Sequence, residues 1–241
     1  MSTHAIDSRP ARDRLLDAAS ELFYEHGVHT VGIDTIIERA AVAKATLYSA
    51  FGSKEELVRA YLEARHASRR ATVLAEMALH DDPRGKLLAL FDVLVTTVKQ
   101  PEFRGCAFAN ASAESGPDSA AAEVTHKVRA WLLGVMAEQA TALGAAEPAG
   151  LARQLTLLYD GALAQSRLDR GPAAATAAKA AARVLVDAAS PAGRKPRARP
   201  AAGRPAPATK LAGLESDGSD RLPRRPSRFT PRVEHPAGNA R

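Results

Sequence analysis

An all-α fold is predicted by three observations. Apolar residues recur at helical spacing in one segment after another, no strand-like alternation interrupts them, and glycine or proline marks the joins. Composition agrees: alanine is abundant while aromatic residues make up only 5% of the chain, which favours helix over sheet. With 241 residues, 46% of them hydrophobic, the chain can bury one good core or two small ones.

Leu15, Leu16, Ala19, Leu22 and Phe23 share one face of a first helix, which Gly27 is expected to end in the αL conformation. Ile33, Ile36, Ile37 and Ala40 give a short second helix with Gly32 at its N-cap. Ala41-Val42-Ala43 separates it from another short helix, 44–51, which Gly52-Ser53 breaks. Ser53 with Glu56 three residues on reads as a capping box that launches a long helix to about Ala78. Two short helices with a tight connection, behind a helix that shields them, make a helix-turn-helix unit.

The rest continues as helix. Asp82-Pro83 suits the start of 84–99, whose apolar face is Leu87, Leu88, Phe91, Leu94, Val95 and Val98. Pro101 and Gly105 interrupt, and CAFANASAE restarts a short helix that Gly116-Pro117 ends. A helix over about 118–143 carries Val124, Val128, Trp131, Leu132, Val135 and Met136. After Gly144 and Pro148 come 151–168 and, beyond Gly171-Pro172, the alanine-rich 173–189. Three regions are expected: a helix-turn-helix DNA-binding domain over 9–56, a helical effector-binding and dimerisation domain over 57–190, and a disordered Pro/Arg-rich tail over 191–241.

The net charge of +6 belongs to that tail. Residues 191–241 hold 12 Lys+Arg against 4 Asp+Glu, which leaves 21 basic and 23 acidic residues in 1–190. The tail reads either as a solubilising extension or as a source of sequence-independent DNA affinity through counterion release. No run of about 18 apolar residues is present, so no membrane span is expected, and an N-terminus without an apolar stretch predicts a cytoplasmic protein. A single cysteine, Cys106, excludes an internal disulfide and a cysteine-based zinc site; an inert buried thiol is favoured over a redox sensor. The seven histidines show no metal-ligand spacing, so no metal and no cofactor are expected. No nucleophile–base pair or phosphate loop points to an enzyme.

The segment KATLYSAFGSKEELV, 44–58, carries the function. On a helix, Leu47 and Phe51 turn toward Leu22, Phe23 and Ile36, while Lys44, Ala45, Thr46, Tyr48 and Ser49 cover the outer side. That outer side is small and polar apart from Tyr48, a shape that enters a major groove about 12 Å wide. The Thr46 and Tyr48 hydroxyls and the free N–H groups of a helix start suit phosphate, and Lys54 in the next first turn can hold one more. A half-buried Tyr48 and a solvated Lys54 are the structural alternative; the turn before them and the capping box after them favour DNA.

AAVAKATLYSAFGSKEELV, 40–58, closely resembles the DNA-binding core of TetR-type bacterial transcriptional regulators, and LLDAASELFYEHGVHTVGID, 15–34, resembles the segment before it. The resemblance implies recognition-helix roles for Lys44, Ala45, Thr46, Tyr48 and Ser49, a phosphate clamp at Lys54, and a DNA-facing Thr35 on the preceding helix. The family often has glycine where this chain has Ala41 and serine where it has Ala43. Alanine is strained if the first position needs φ > 0, and losing a side-chain cap costs about 1 kcal/mol.

The resemblance further implies a homodimer reading palindromic double-stranded DNA, paired through its last two helices, 151–168 and 173–189. The 104–110 stretch, RGCAFAN, is similar to a group of such proteins that hold a small effector inside the helical body. Phe91, Leu94, Val95, Cys106, Phe108, Asn110, Trp131 and Tyr159 are the candidate pocket residues, although residues of these types at such positions are more often plain core. A repressor released by an effector of unknown identity is the expected function. The alternative is a helical small-molecule-binding protein with weak or non-specific DNA binding.

Overall fold

A computed structural model describes residues 9–191, and the predicted tail lies outside the described residues. Within them the chain forms nine α-helices: α1 (Ala11–His26), α2 (Ile33–Ala40), α3 (Lys44–Phe51), α4 (Lys54–Met77), α5 (Pro83–Val98), α6 (Ala107–Ala113), α7 (Ala120–Ala142), α8 (Pro148–Leu168) and α9 (Ala173–Ala189). No strand occurs among the described residues.

Local chemistry sets the boundaries. Ser53 Oγ accepts from the Glu56 N–H at 3.1 Å and starts α4, yet the Glu56 carboxylate turns to Arg59, so only one half of the capping box forms. Asp82 accepts from the Gly85 N–H at 2.9 Å and Pro83 supplies a preset φ, which starts α5. Ser119 caps α7 through the Ala122 N–H, so that helix begins two residues later than expected. Pro148 begins α8 three residues earlier than expected, because proline is at home in a first turn. Gly27 does end α1, with its N–H on the Phe23 carbonyl, but at φ 90° and ψ 152° rather than in the αL region. A Cβ there would lie 2.6 Å from a Glu114 carboxylate oxygen, the movable end of a side chain, so it is the conformation at φ 90° that calls for glycine.

Two apolar clusters organise the helices. The first joins Leu15, Phe23, Ile36, Leu47, Leu57 and Tyr61, and it takes up Phe108 and Ala111 of α6 with Ala121, Val124 and Val128 of α7. The second joins Val73 and Met77 to the inner faces of α5, α7, α8 and α9. The α4 helix belongs to both: Leu57, Val58, Tyr61 and Leu62 serve the first, Val73 and Met77 the second. At 24 residues it is a rod of about 36 Å. Anything that tilts its far half therefore tilts the three helices at its near end.

Candidate nucleic-acid interface and effector cavity

The helix-turn-helix is built from α2, the 41–43 turn and α3. Ile36 and Leu47 are wholly buried and Ala40 nearly so, which fixes α3 against α1 and α2 from its inner side. Ala41 lies at φ 51° and ψ 53°, the αL conformation, and the turn closes with Ala41 N–H on the Glu38 carbonyl and Val42 N–H on the Ile37 carbonyl, both at 3.1 Å. This is the Schellman arrangement, made here without glycine. Ala43 precedes α3 in an extended conformation and offers no side-chain cap.

The outer side of α3 presents Lys44, Ala45, Tyr48 and Ser49 to solvent, with Thr46 partly buried beside them and Thr35 of α2 also exposed. Tyr48 is 44% exposed, an unusual position for an aromatic with nothing to cover it. Lys44 donates to the Asp34 carboxylate at 3.0 Å; that hydrogen bond, then the charge of Asp34, raises its pKa. The Lys54 ammonium donates to the His29 carbonyl at 3.4 Å, and burial lowers its pKa while Glu114 opposes the shift. Both lysines are thus engaged by the protein itself.

Several ties bind this head to the rest of the chain. The Tyr24 hydroxyl donates to the Gly105 carbonyl at 3.1 Å and accepts from the Arg104 N–H at 2.9 Å. The Arg65 guanidinium lies 3.8 Å from the centre of the Tyr24 ring. Glu114, at the end of α6, accepts from the His29 N–H at 3.0 Å. Glu55 of α4 accepts from the Ala120 N–H at 2.9 Å, and Arg59 reaches Glu123 at 2.7 Å, which joins the starts of α4 and α7.

Beyond α6 lies a cavity of about 480 Å³ walled by α6, α7, α8 and one side chain of α4. Five of the eight expected pocket residues line it: Cys106, Phe108, Asn110, Trp131 and Tyr159. Phe91, Leu94 and Val95 are not on its wall. Phe91 and Leu94 are wholly buried in the second cluster, with Val95 packed against it, and Phe91 meets the Tyr159 ring edge-on at 5.8 Å. The same helical period that makes a wall makes a core, and periodicity does not separate them.

The arginines of the wall were missing from the expected set. Arg69 of α4 donates to the Tyr159 hydroxyl, Arg129 pairs with Asp160 at 2.7 Å, and Arg167 donates to the Asn110 side-chain oxygen. A signal for Arg69 exists in the chain. Tyr61, Arg65, Arg69, Val73 and Met77 follow one another at i+4, so two arginines sit within the stripe that α4 turns inward. His66 stands edge-on to Trp131 at 5.3 Å with its Nδ1 buried and without a partner among the described residues; burial, then Arg70 and Arg69, lowers its pKa. A second cavity, about 540 Å³, opens on the other side of Arg69 toward Tyr24, Arg65 and Glu76. No cluster of His, Cys, Asp and Glu suited to a metal occurs among the described residues.

An exposed recognition helix held on a buried base, tied to a helical body with an internal cavity, defines a DNA-binding transcriptional regulator of the helix-turn-helix class. Residues 15–61 match the family of bacterial regulatory proteins of the TetR type. The chain belongs to that family. It is 33% identical to SCO4454 of Streptomyces coelicolor, a TetR-family transcriptional regulator, over 75% of this chain and 96% of that one, with a TM-score of 0.72. It also shares the fold of reduced NemR from E. coli, at 22% identity, 73% and 97% coverage and a TM-score of 0.63. Among curated relatives, the HTH-type transcriptional activator FasR of Mycolicibacterium smegmatis is 51% identical over 55 residues, 23% of this chain and 25% of FasR. The HTH-type regulator UidR of Escherichia coli is 37% identical over 62 residues, 26% and 32% of the two chains. The match thus spans a quarter to a third of the length of these curated relatives. No helix of the described residues is long and apolar enough to cross a membrane.

Proposed function

We propose that the protein is a homodimeric repressor that binds a palindromic operator and lets go when a small molecule fills the cavity. The single observation that carries this reading is the double use of the 104–110 segment. Gly105, Cys106, Phe108 and Asn110 line the cavity, while the backbone of Arg104 and Gly105 holds Tyr24 of the reading head. A ligand that displaces this segment acts on α1 directly and on α4 through the shared wall. In this reading Lys44, Ala45, Thr46, Tyr48 and Ser49 face the major groove, and Thr35 and Lys54 face phosphates. Residues 9–56 act as the reading head and 57–190 as the effector-binding and dimerising body.

Dimerisation is supported by two unpartnered stripes. Leu157, Gly161, Ala164 and Leu168 run along α8 at i, i+4, i+7, i+11, and Ala177, Ala180, Val184 and Ala188 run along α9, all of them exposed. Adjacent helices with small and apolar outer faces are suited to a four-helix bundle between two copies.

Footprinting on DNA upstream of the gene and its neighbours tests the assignment. Protection of a palindrome, lost in the double variant Tyr48→Ala with Lys54→Ala, is the expected result; full protection by that variant refutes the site. A non-specific DNA binder is the second reading, favoured by the engagement of Lys44 and Lys54 within the protein. One affinity for every DNA sequence would decide for it.

A further inference from the structure

We infer that the cavity walled by α6, α7 and α8 takes an amphipathic organic anion, whose carboxylate is held by Arg69 and whose apolar body lies against Phe108, Trp131 and Leu132. This names the ligand class of the effector site proposed above and rests on that reading.

Charge is the first argument. The charged lining residues are Arg69, Arg129 and Arg167 against a lone Asp160. Asp160 is committed to Arg129, and Arg167 is turned to a neutral amide oxygen. Arg69 has no carboxylate within reach among the described residues. Its one hydrogen bond there goes to the neutral Tyr159 hydroxyl, and its guanidinium stands 5.3 Å from the centre of that ring. Burial works to lower the pKa of Arg69, while Tyr159, Cys106 and Asp160 raise it by more, so the group stays charged.

A guanidinium carries five N–H donors in a planar fork, and one bond to a phenol leaves most of them unused. Arg69 is half-buried and none of its nitrogens is buried without a partner, so its unused donors open onto the cavities it lines. A bidentate carboxylate answers both the charge and the donors. A cationic ligand would meet three like charges, and a neutral one would leave the fork unfilled.

Shape is the second argument. Beside the paired Arg129 and Asp160 and the amide-bound Arg167, the wall carries an apolar and aromatic set, Phe108, Val128, Trp131, Leu132 and Leu163. The volume of about 480 Å³ lies in the range of small-molecule sites. A bare inorganic anion would leave most of that wall unfilled. Glu76, a carboxylate on the wall of the neighbouring cavity, makes no ion pair with Arg69, so the guanidinium is not already satisfied from its other side.

Trp131 is the only tryptophan in the chain and lines the cavity, so its fluorescence reads occupancy without DNA. The intact protein is titrated with phenylbutyrate, phenylbutanol and phenylbutylamine, which share one body and differ in charge. Saturable binding of the carboxylate, about tenfold tighter than the alcohol and with no saturation by the amine, is the expected ranking. Arg69→Met should bring the carboxylate down to the level of the alcohol and leave the alcohol within about twofold, while Arg69→Lys keeps part of the preference. Equal or tighter binding of the alcohol or amine, an unchanged preference in Arg69→Met, or no saturation by any of the three at millimolar concentration would overturn the inference. The wild-type ranking decides even if a variant does not fold. Carboxylate binding that leaves operator binding untouched upholds the ligand class and counts against effector release.

Discussion

Ala41 holds the αL conformation at the turn before the recognition helix, where a Cβ crowds the following carbonyl. The turn's two backbone hydrogen bonds and the burial of Ala40 and Leu47 on either side hold it there. Ala41→Gly should stabilise the protein by about 1 kcal/mol, somewhat offset by the greater freedom of glycine in the unfolded chain. A melting temperature raised by about 2–4 °C checks it; a lowered one means the strain is absent. The turn was legible in the sequence as a three-residue link, and strain at Ala41 was suggested by the resemblance, since the family often has glycine there. The pairing of Lys44 with Asp34 was not, since residues ten apart meet only after the helices pack. Asp34 sets a negative charge beside the proposed phosphate contacts, so Asp34→Asn should tighten DNA binding severalfold and steepen its salt dependence by about one phosphate contact. Anisotropy titrations over a salt series measure both, and unchanged slope and affinity would place Asp34 and Lys44 away from the DNA.

Among the elements, α6 is the shortest, and it joins the cavity to the reading head. Seven residues long, it shares a wall with the cavity, closes the first apolar cluster through Phe108 and Ala111, and ends on Glu114 against the His29 N–H. The loop that leads into it fastens Tyr24 from two sides. Tyr24→Phe removes both hydrogen bonds and keeps the ring under Arg65, so stability should fall by about 1–2 kcal/mol. The Arg104 amide should exchange with solvent faster in the variant than in the wild type. An unchanged rate at Arg104 would show that the tie carries no load. The Arg-Gly-Cys stretch stood out in the sequence by its resemblance, whereas nothing in the sequence singled out Tyr24. Its role depends on a loop 80 residues away, a separation that local patterning does not reach. Arg69 was hidden for a related reason: a charge in an inward stripe is visible, but the cavity that makes it useful exists only between α6, α7 and α8.

For the whole molecule, the question is what covers α8 and α9. Their helical nature was clear from the sequence, but alanine is equally at ease inside and outside, so the 161–164 run did not reveal which of its residues faced the core. In the fold Ala162 and Leu163 turn inward and Gly161 and Ala164 turn out. Leu157 is 72% exposed and Val184 67%, large apolar side chains within the two outer stripes. A second copy that packs its own α8 and α9 against these would bury all four stripes about a two-fold axis and set two recognition helices to face one palindrome. Charges at that seam should separate the copies without disturbing either core. Leu157→Glu with Val184→Glu is expected to keep the helical circular dichroism of the wild type and to run as a monomer by light scattering. Each reading head then binds its half-site alone, so operator affinity should fall by about 10²-fold or more as the linkage between half-sites is lost. A variant that remains dimeric would move the interface elsewhere. A monomer that still binds the palindrome at full affinity would mean that one head suffices, and the two-fold reading of the operator would have to be given up.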